Sequence, residues 1–376
     1  MNLLKLTEKL ISIPSFVDEK SNEKRLADFL YEYFRQNLPW FKLEKQIVEG
    51  PRYNLIATDS NNPKLIFLSH LDTVLPKNNS QMKPKSTNGK LYGLGACDMK
   101  GGLAAVIKTC EEIGPTDNLA LIFDCDEEYY FKGIEKILAK LKLKPELVIC
   151  PEPTDLEIVN GCRGVIEIEF EVLGKSAHAG RPSLGINAIE QTISLIFNLQ
   201  VELQRNDYSE LRSTTVNLSA LQGGKRQNDQ IIIQGNVVPD IAKVLLDIRP
   251  ANPNLEAKKV LQIIKALAKK LNLKIQNEKT NIDLKPYFND RKRLNKLEKA
   301  ISKTGLIPKY RQNLGNGGFY ESAIISNNWK CPAINFGPGN KDTAHSNNEY
   351  LDIKSLEKTK EVFKAVILNR KSSGRN

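Results

Sequence analysis

Apolar and polar positions follow two different rhythms along this chain. The runs KLIFLS (64–69), NLALIFD (118–124) and ELVIC (146–150) are continuously apolar and separated by helical segments. That is the pattern of strands covered on both faces in an α/β sheet. VIEIEFEV (165–172) differs: Ile166, Ile168, Phe170 and Val172 alternate with Glu167, Glu169 and Glu171, which predicts a sheet with one wet face. The alternation returns in AKVLLDIRP (242–250), and helical periodicity covers Gly185–Leu203 and Leu255–Leu271. Strand, helix, two strands, helix, strand is the order of a split βαβ module. The chain therefore reads as α/β. Residues 1–163 and 281–376 form a larger domain, a mixed sheet flanked by helices, and residues 164–280 form a smaller α+β domain inserted into it.

Length agrees with this division, since 376 residues exceed the roughly 150 of a typical single core. No apolar run approaches the roughly 20 residues of a membrane span. The amphipathic start MNLLKLTEKLISIPS is broken by Lys5, Glu8 and Lys9, unlike a signal peptide. The expectation is a cytoplasmic protein without a membrane partner. Six cysteines without C-x-x-C spacing read as free thiols. Cys97, Cys125 and Cys150 lie near acidic motifs, but the acids offer better-spaced ligand sets. The net charge of +11 raises a non-enzymatic, nucleic-acid-binding alternative. The lysines, however, are spread along helices such as LEAKKVLQIIKALAKKLN (255–272) without an arginine–aromatic cluster. A solvated basic surface accounts for them, and it also suits an anionic small substrate.

The chain holds only three histidines, and His70 ends an apolar run with Asp72 two positions later. In a strand these two share a face, and a carboxylate beside a metal-bound imidazole commonly orients it. H-x-D alone is also an ordinary surface pair. In KLYGLGACDMKGG (90–102), Gly93, Gly95, Gly101 and Gly102 predict a tight loop presenting Asp98, and no dinucleotide fingerprint follows. ALIFDCDEEYY (120–130) ends a strand in Asp126, Glu127 and Glu128, three acids that need a cation or solvent between them. ELVICPEPTD places Glu152 just beyond another strand, and NFGPGNKDTAHSNNEYL (335–351) brings His345 out of a glycine-rich turn. Each motif has a bland reading. Together they place acids and histidines at strand ends, which gather in one crevice in open α/β sheets. Two histidines with three or four carboxylates can hold two divalent ions about 3.5–4 Å apart.

In this order the motifs resemble the co-catalytic zinc deacylases and exopeptidases, the family of acetylornithine deacetylase, succinyl-diaminopimelate desuccinylase and carboxypeptidase G. The resemblance runs from LISIPS (10–15) to the final helix and includes GKSAHAGRPSLGINAIE (174–190), NVVPD and DIRP. It implies two divalent ions, zinc foremost with cobalt as an alternative, in a zinc-hydrolase domain with an inserted dimerisation and lid domain. By that resemblance His70 and Glu152 hold one ion, Glu128 and His345 the other, and Asp98 bridges both. Glu127 is then the general base, and Asp72 supports His70. The oxyanion donor is a histidine of the partner subunit in a homodimer, a position matched here by His178. Asn236 and Arg249 match substrate-holding positions, although Arg249 reads equally as a structural ion pair. Gly317 and Gly318 match a glycine turn lining the pocket. Phe319 and Tyr320 depart from the small polar residues of many relatives, and Arg181 is an uncommon choice that suits a carboxylate-bearing substrate.

The implied reaction is hydrolysis of the amide of an N-acyl amino acid. KLYGLG, DIRP and the GPG…AH…EYL stretch lean toward N-acetylornithine. DMKGGLAA and EPT are shared with the desuccinylase, which ranks second, ahead of a dipeptidase or aminoacylase.

Overall fold

The computed structural model describes residues 1–204, 210–228 and 230–371. They form two compact units. One comprises Met1–Asn160, Asn289–Gln312 and the chain from Tyr320 onward; the other comprises Gly161–Phe288 and Asn313–Phe319.

The first unit is built on a six-stranded mixed sheet. Its order is Lys42–Glu49, Arg52–Thr58, Leu119–Asp124, Leu65–His70, Leu147–Cys150, Ala333–Asn335. The last four run parallel, and the first two are antiparallel additions at one side. Every residue of Leu65–His70, Leu119–Asp124 and Leu147–Cys150 is buried, as continuous apolar runs require. Alternate side chains serve opposite faces. Leu65, Phe67, Leu121 and Phe123 pack beneath helices that include Leu3–Ile11, Lys24–Asn37 and Gly101–Ile113. Ile66, Leu68, Ala120 and Ile122 pack beneath Lys132–Lys140 and Glu321–Trp329. Parallel strands end at the same edge of a sheet, so His70, Glu127, Glu128 and Glu152, all at or just past strand ends, are delivered to one region.

The second unit is a five-stranded antiparallel sheet ordered Gln230–Ile232, Thr215–Gln227, Ile241–Arg249, Val165–Leu173, Lys274–Leu284. Ile166, Ile168, Phe170 and Val172 face the helices Ala188–Gln204 and Ala257–Lys270 through Leu195, Leu199, Val260 and Ile264. The intervening glutamates take polar partners: Asn281 donates to Glu167 and Glu169 at 2.9 and 2.6 Å. This unit spans more chain than the alternating pattern marks, because Gly161–Cys162 pairs with Tyr287–Phe288 outside the main sheet. The first of its helices starts at Ala188, not Gly185, because the Asn187 side chain accepts the amide hydrogens of Ile189 and Glu190 and so sets the first turn.

Among the described residues no helix is long and apolar enough to cross a membrane. All six cysteines are unpaired and buried. Cys97 donates to the Asn340 carbonyl and Cys125 to that of Tyr53, each at 3.2 Å, and burial pushes both thiols up.

Candidate metal centre

His70 is the last residue of its strand and is 2% exposed, so its ring can reach only what the fold places against it. Nδ1 lies 3.0 Å from the main-chain carbonyl of Asp72. A proton on Nδ1 donates there and leaves Nε2 turned toward carboxylates. Nε2 is 3.2 Å from Asp98 Oδ1 and 3.8 Å from Glu152 Oε1. The sequence expectation paired His70 with the Asp72 carboxylate, but that group sits 3.8 Å from Nδ1. The strand ends at His70, so strand alternation no longer aims the next side chains. The Asp72 carboxylate instead accepts the amide hydrogens of Glu127 at 3.2 Å and Glu128 at 2.9 Å. Asp72 therefore fixes both the imidazole and the start of the acidic loop.

Asp98 lies in the irregular turn Ala96–Lys100, whose Asp98–Met99 peptide is cis. Only Gly93 and Gly95 supply unusual backbone angles there, with φ of 153° and 75°. Gly101 closes this turn as expected, since a side chain there would strike the Ala96 carbonyl, whereas Gly102 serves the following helix rather than the loop. Both open the helix Gly101–Ile113, and a side chain at Gly102 would collide with the Pro151 carbonyl. The smallness of Gly102 lets the helix start pass close to the strand end that carries Glu152. Asp98 Oδ2 lies 3.4 Å from Nε2 of His345, which is also 2.9 Å from Glu128 Oε1. One carboxylate thus faces both histidines, one oxygen to each. Ligand atoms of His70, Asp98 and Glu128 all lie within 4.8 Å of one another.

The charges identify what this group is short of. Burial works against ionised Asp98, yet hydrogen bonds from His345 and His70 hold it well below the usual carboxylate range. Burial also opposes a charged His70, but Asp98, Glu152 and Glu127 hold its pKa well above normal. Hydrogen bonds to Asp98 and Glu128 push His345 up to about 10. Burial, reinforced by neighbouring acids, raises Glu127, Glu128 and Glu152. Carboxyls that resist ionisation beside imidazoles that resist deprotonation mark a cluster lacking positive charge. Divalent cations match that lack and this oxygen–imidazole donor set.

Three supporting residues were not singled out from the sequence. Arg52, 7% exposed, donates to Asp126 Oδ1 at 2.6 Å and to Glu23 at 2.5 and 2.8 Å. Asp126 is thereby committed to structure, while Glu127 and Glu128 carry on into the cluster. Asp124 and Glu321 are buried acids within hydrogen-bond reach of each other. Burial pushes Asp124 up to about 7 and Glu321 well above its usual range, with Asp124 adding to the latter. A proton held between the two carboxyls satisfies both.

The remaining candidates belong to the second unit. His178 is exposed, and its Nδ1 accepts the Gly180 amide hydrogen at 3.0 Å, which leaves Nε2 as the ring nitrogen able to donate. The Arg181 amide donates to the His178 carbonyl, and the Ala179 amide donates to that of Asn236, which brings His178, Arg181 and Asn236 together. Arg249 is not with them. It ends the strand Ile241–Arg249, which starts shortly after Asn236, and eight residues of strand extend about 26 Å. Its guanidinium is paired in two bonds of 2.6 and 2.8 Å with Asp247, as the ion-pair reading expects. Gly317 and Gly318 lie in the segment Asn313–Phe319 of this unit, and a side chain at Gly318 would meet open space.

Residues 66–369 match peptidase family M20/M25/M40. The chain belongs to this family. It is 26% identical to an acetylornithine deacetylase of Buchnera aphidicola subsp. Schizaphis graminum, over 98% of both chains. It is 28% identical to a putative succinyl-diaminopimelate desuccinylase of Mycobacterium tuberculosis, over 94% of both. Among solved structures, an aminopeptidase of Bacillus cereus superposes with a TM-score of 0.77 at 23% identity, covering 98% of this chain and 97% of that one. A Bacillus subtilis protein described as a dinuclear metal binding peptidase gives 0.67 at 16% identity, covering 97% and 96%. The family is one of peptidases and amidohydrolases, and the mixed α/β fold is shared with these structures.

Proposed function

We propose that the protein hydrolyses the amide bond of an N-acyl amino acid, N-acetylornithine foremost, using two divalent metal ions, zinc or alternatively cobalt. The observation that carries this reading is Asp98 set between His70 and His345, with Glu152 and Glu128 on the two sides. His70 and Glu152 would hold one ion, Glu128 and His345 the other, and Asp98 both. Bound there, the ions supply the missing positive charge, polarise the amide carbonyl and make water easier to deprotonate.

Glu127 feels the charge of His70 but forms no ion pair within 4.0 Å among the described residues, which leaves its carboxyl available for proton transfer. It takes the proton of the attacking water as oxygen bonds to the carbonyl carbon, and returns it to nitrogen as the C–N bond breaks. Asp72 keeps this loop in register through the amides of Glu127 and Glu128. The Nε2–H of exposed His178 suits hydrogen bonding to the developing oxyanion, in the site of a partner subunit. Self-association is supported by an exposed stripe on the helix Ala188–Gln204: Ile193, Phe197 and Val201, four residues apart. Arg181 and Asn236 beside His178 would hold the amino acid's carboxylate. Arg249 would contribute only by leaving Asp247, and Gly317 and Gly318 would line the acyl side. On this reading the protein would act in amino-acid biosynthesis, in the cytoplasm.

Acetylornithine deacetylase relatives match nearly the full chain, which favours that substrate; the 28% identity to a desuccinylase supports N-succinyl-diaminopimelate as a second reading. Metal-loaded protein should be incubated with both compounds and with simple dipeptides, and the released amine measured. Fastest release from N-acetylornithine is expected. Faster release from the succinyl compound establishes the second reading, and no release from any amide overturns both.

A further inference from the structure

Glu349 takes no part in the chemistry above, yet it is 3% exposed and lies four residues after His345. Its Oε1 accepts the amide hydrogens of Cys97 at 2.9 Å and Asp98 at 3.1 Å, and its Oε2 accepts that of Gly95 at 3.1 Å. Three of the four amides from Gly95 to Asp98 therefore end on one carboxylate. These amides lie in an irregular turn, so no helix or strand ladder is available to hold them.

The surrounding bonds tie the same two segments together. The Gly93 amide donates to the Glu349 carbonyl at 3.2 Å. The Gln81 side chain donates to the Ser346 carbonyl at 3.0 Å, while the Gln81 carbonyl accepts the Leu94 amide at 2.7 Å. Just beyond Glu349, Tyr350–Asp352 pairs with Lys90–Tyr92. The Glu349 carboxylate thus sits where the turn presenting Asp98 meets the segment presenting His345.

We propose that Glu349 is a positioning residue that sets the Asp98 carboxylate against His345, so that a bridging cation meets both at once. This rests on the reading of the cluster as a metal centre. Ligand placement within about half an ångström decides such a site, and loss of an outer partner typically weakens metal affinity 10–100-fold. Glutamine at this position keeps the volume but turns an NH2 group toward an amide donor. Aspartate keeps the charge but is shorter by one methylene.

The test is titration of metal-free wild type, Glu349→Gln and Glu349→Asp with Co2+, following both affinity and the visible spectrum. Wild type is expected to bind, and Glu349→Gln to bind about 10–100-fold more weakly with an altered spectrum and a melting temperature close to wild type. Glu349→Asp should fall between them. If wild type binds and both variants match its affinity and spectrum, the positioning role is overturned while the metal centre stands. If wild type binds no Co2+, the metal centre fails and this inference fails with it. Should neither variant fold, hydrogen exchange in metal-free wild type decides. Slow exchange of the Cys97 and Asp98 amides supports the clamp, and exchange at the rate of an open loop overturns it.

Discussion

At the scale of single residues, the assignment of Glu127 depends on its being the acid of the cluster without an ion-pair partner. Glu127→Gln keeps the shape but cannot accept a proton. It should lower turnover by at least about 10²–10⁴-fold with metal content unchanged, as read by steady-state kinetics and elemental analysis. Retained turnover would remove Glu127 as the base. Asp124 makes a prediction about stability. Its pKa is about 7 in the folded protein, where burial raises it, against 3.8 as the ordinary value. Between those values the unfolded chain has lost the proton and the folded chain keeps it, so the folded state binds more protons. Stability of the metal-free protein should therefore fall as pH rises from about 4 to about 7, and the penalty persists above that. Asp124→Asn should flatten this fall, so denaturant curves at pH 5 and pH 8 should differ less for the variant. An equal pH dependence in both proteins would mean that Asp124 ionises freely. The motifs H-x-D, DEE and E-P-T showed where acids and histidines would lie, but the partners of Asp72 and Glu349 are backbone amides, which leave no mark in a sequence. Asp124 reads simply as the end of a strand until Glu321 is seen beside it.

At the scale of elements, the site is accurate because four parallel strands end together and a helix start is pressed against one of those ends. The strands were legible, since continuous apolar runs and alternating runs demand different environments. The work of Gly102 was not legible, because close approach between distant backbones depends on packing. Gly102→Ala should put a methyl group into the Pro151 carbonyl and cost about 1–3 kcal/mol of stability, measured by urea unfolding. A cost within a few tenths of a kcal/mol would show that the helix start can move aside. Gly318→Ala, with open space around it, should be far milder.

At the scale of the whole molecule, a homodimer with His178 acting in the partner's site makes a demand that single variants do not. Glu127→Gln and His178→Ala proteins, each inactive alone, should regain part of the activity when their subunits exchange, because one site of the mixed dimer then has both groups intact. Mixed dimers that form and stay inactive would place His178 outside catalysis or within its own chain's site. The central claim is simpler: the cluster around Asp98 is a two-metal hydrolytic centre. Calorimetric titration of metal-free protein with Zn2+ tests it most directly, with hydrolysis of the preferred N-acyl amino acid followed in parallel. The account predicts two ions bound per chain and activity that appears as they bind, with both sites weakened in Asp98→Ala. Wild type that binds no zinc, or Asp98→Ala that still binds two ions with wild-type affinity, would contradict it.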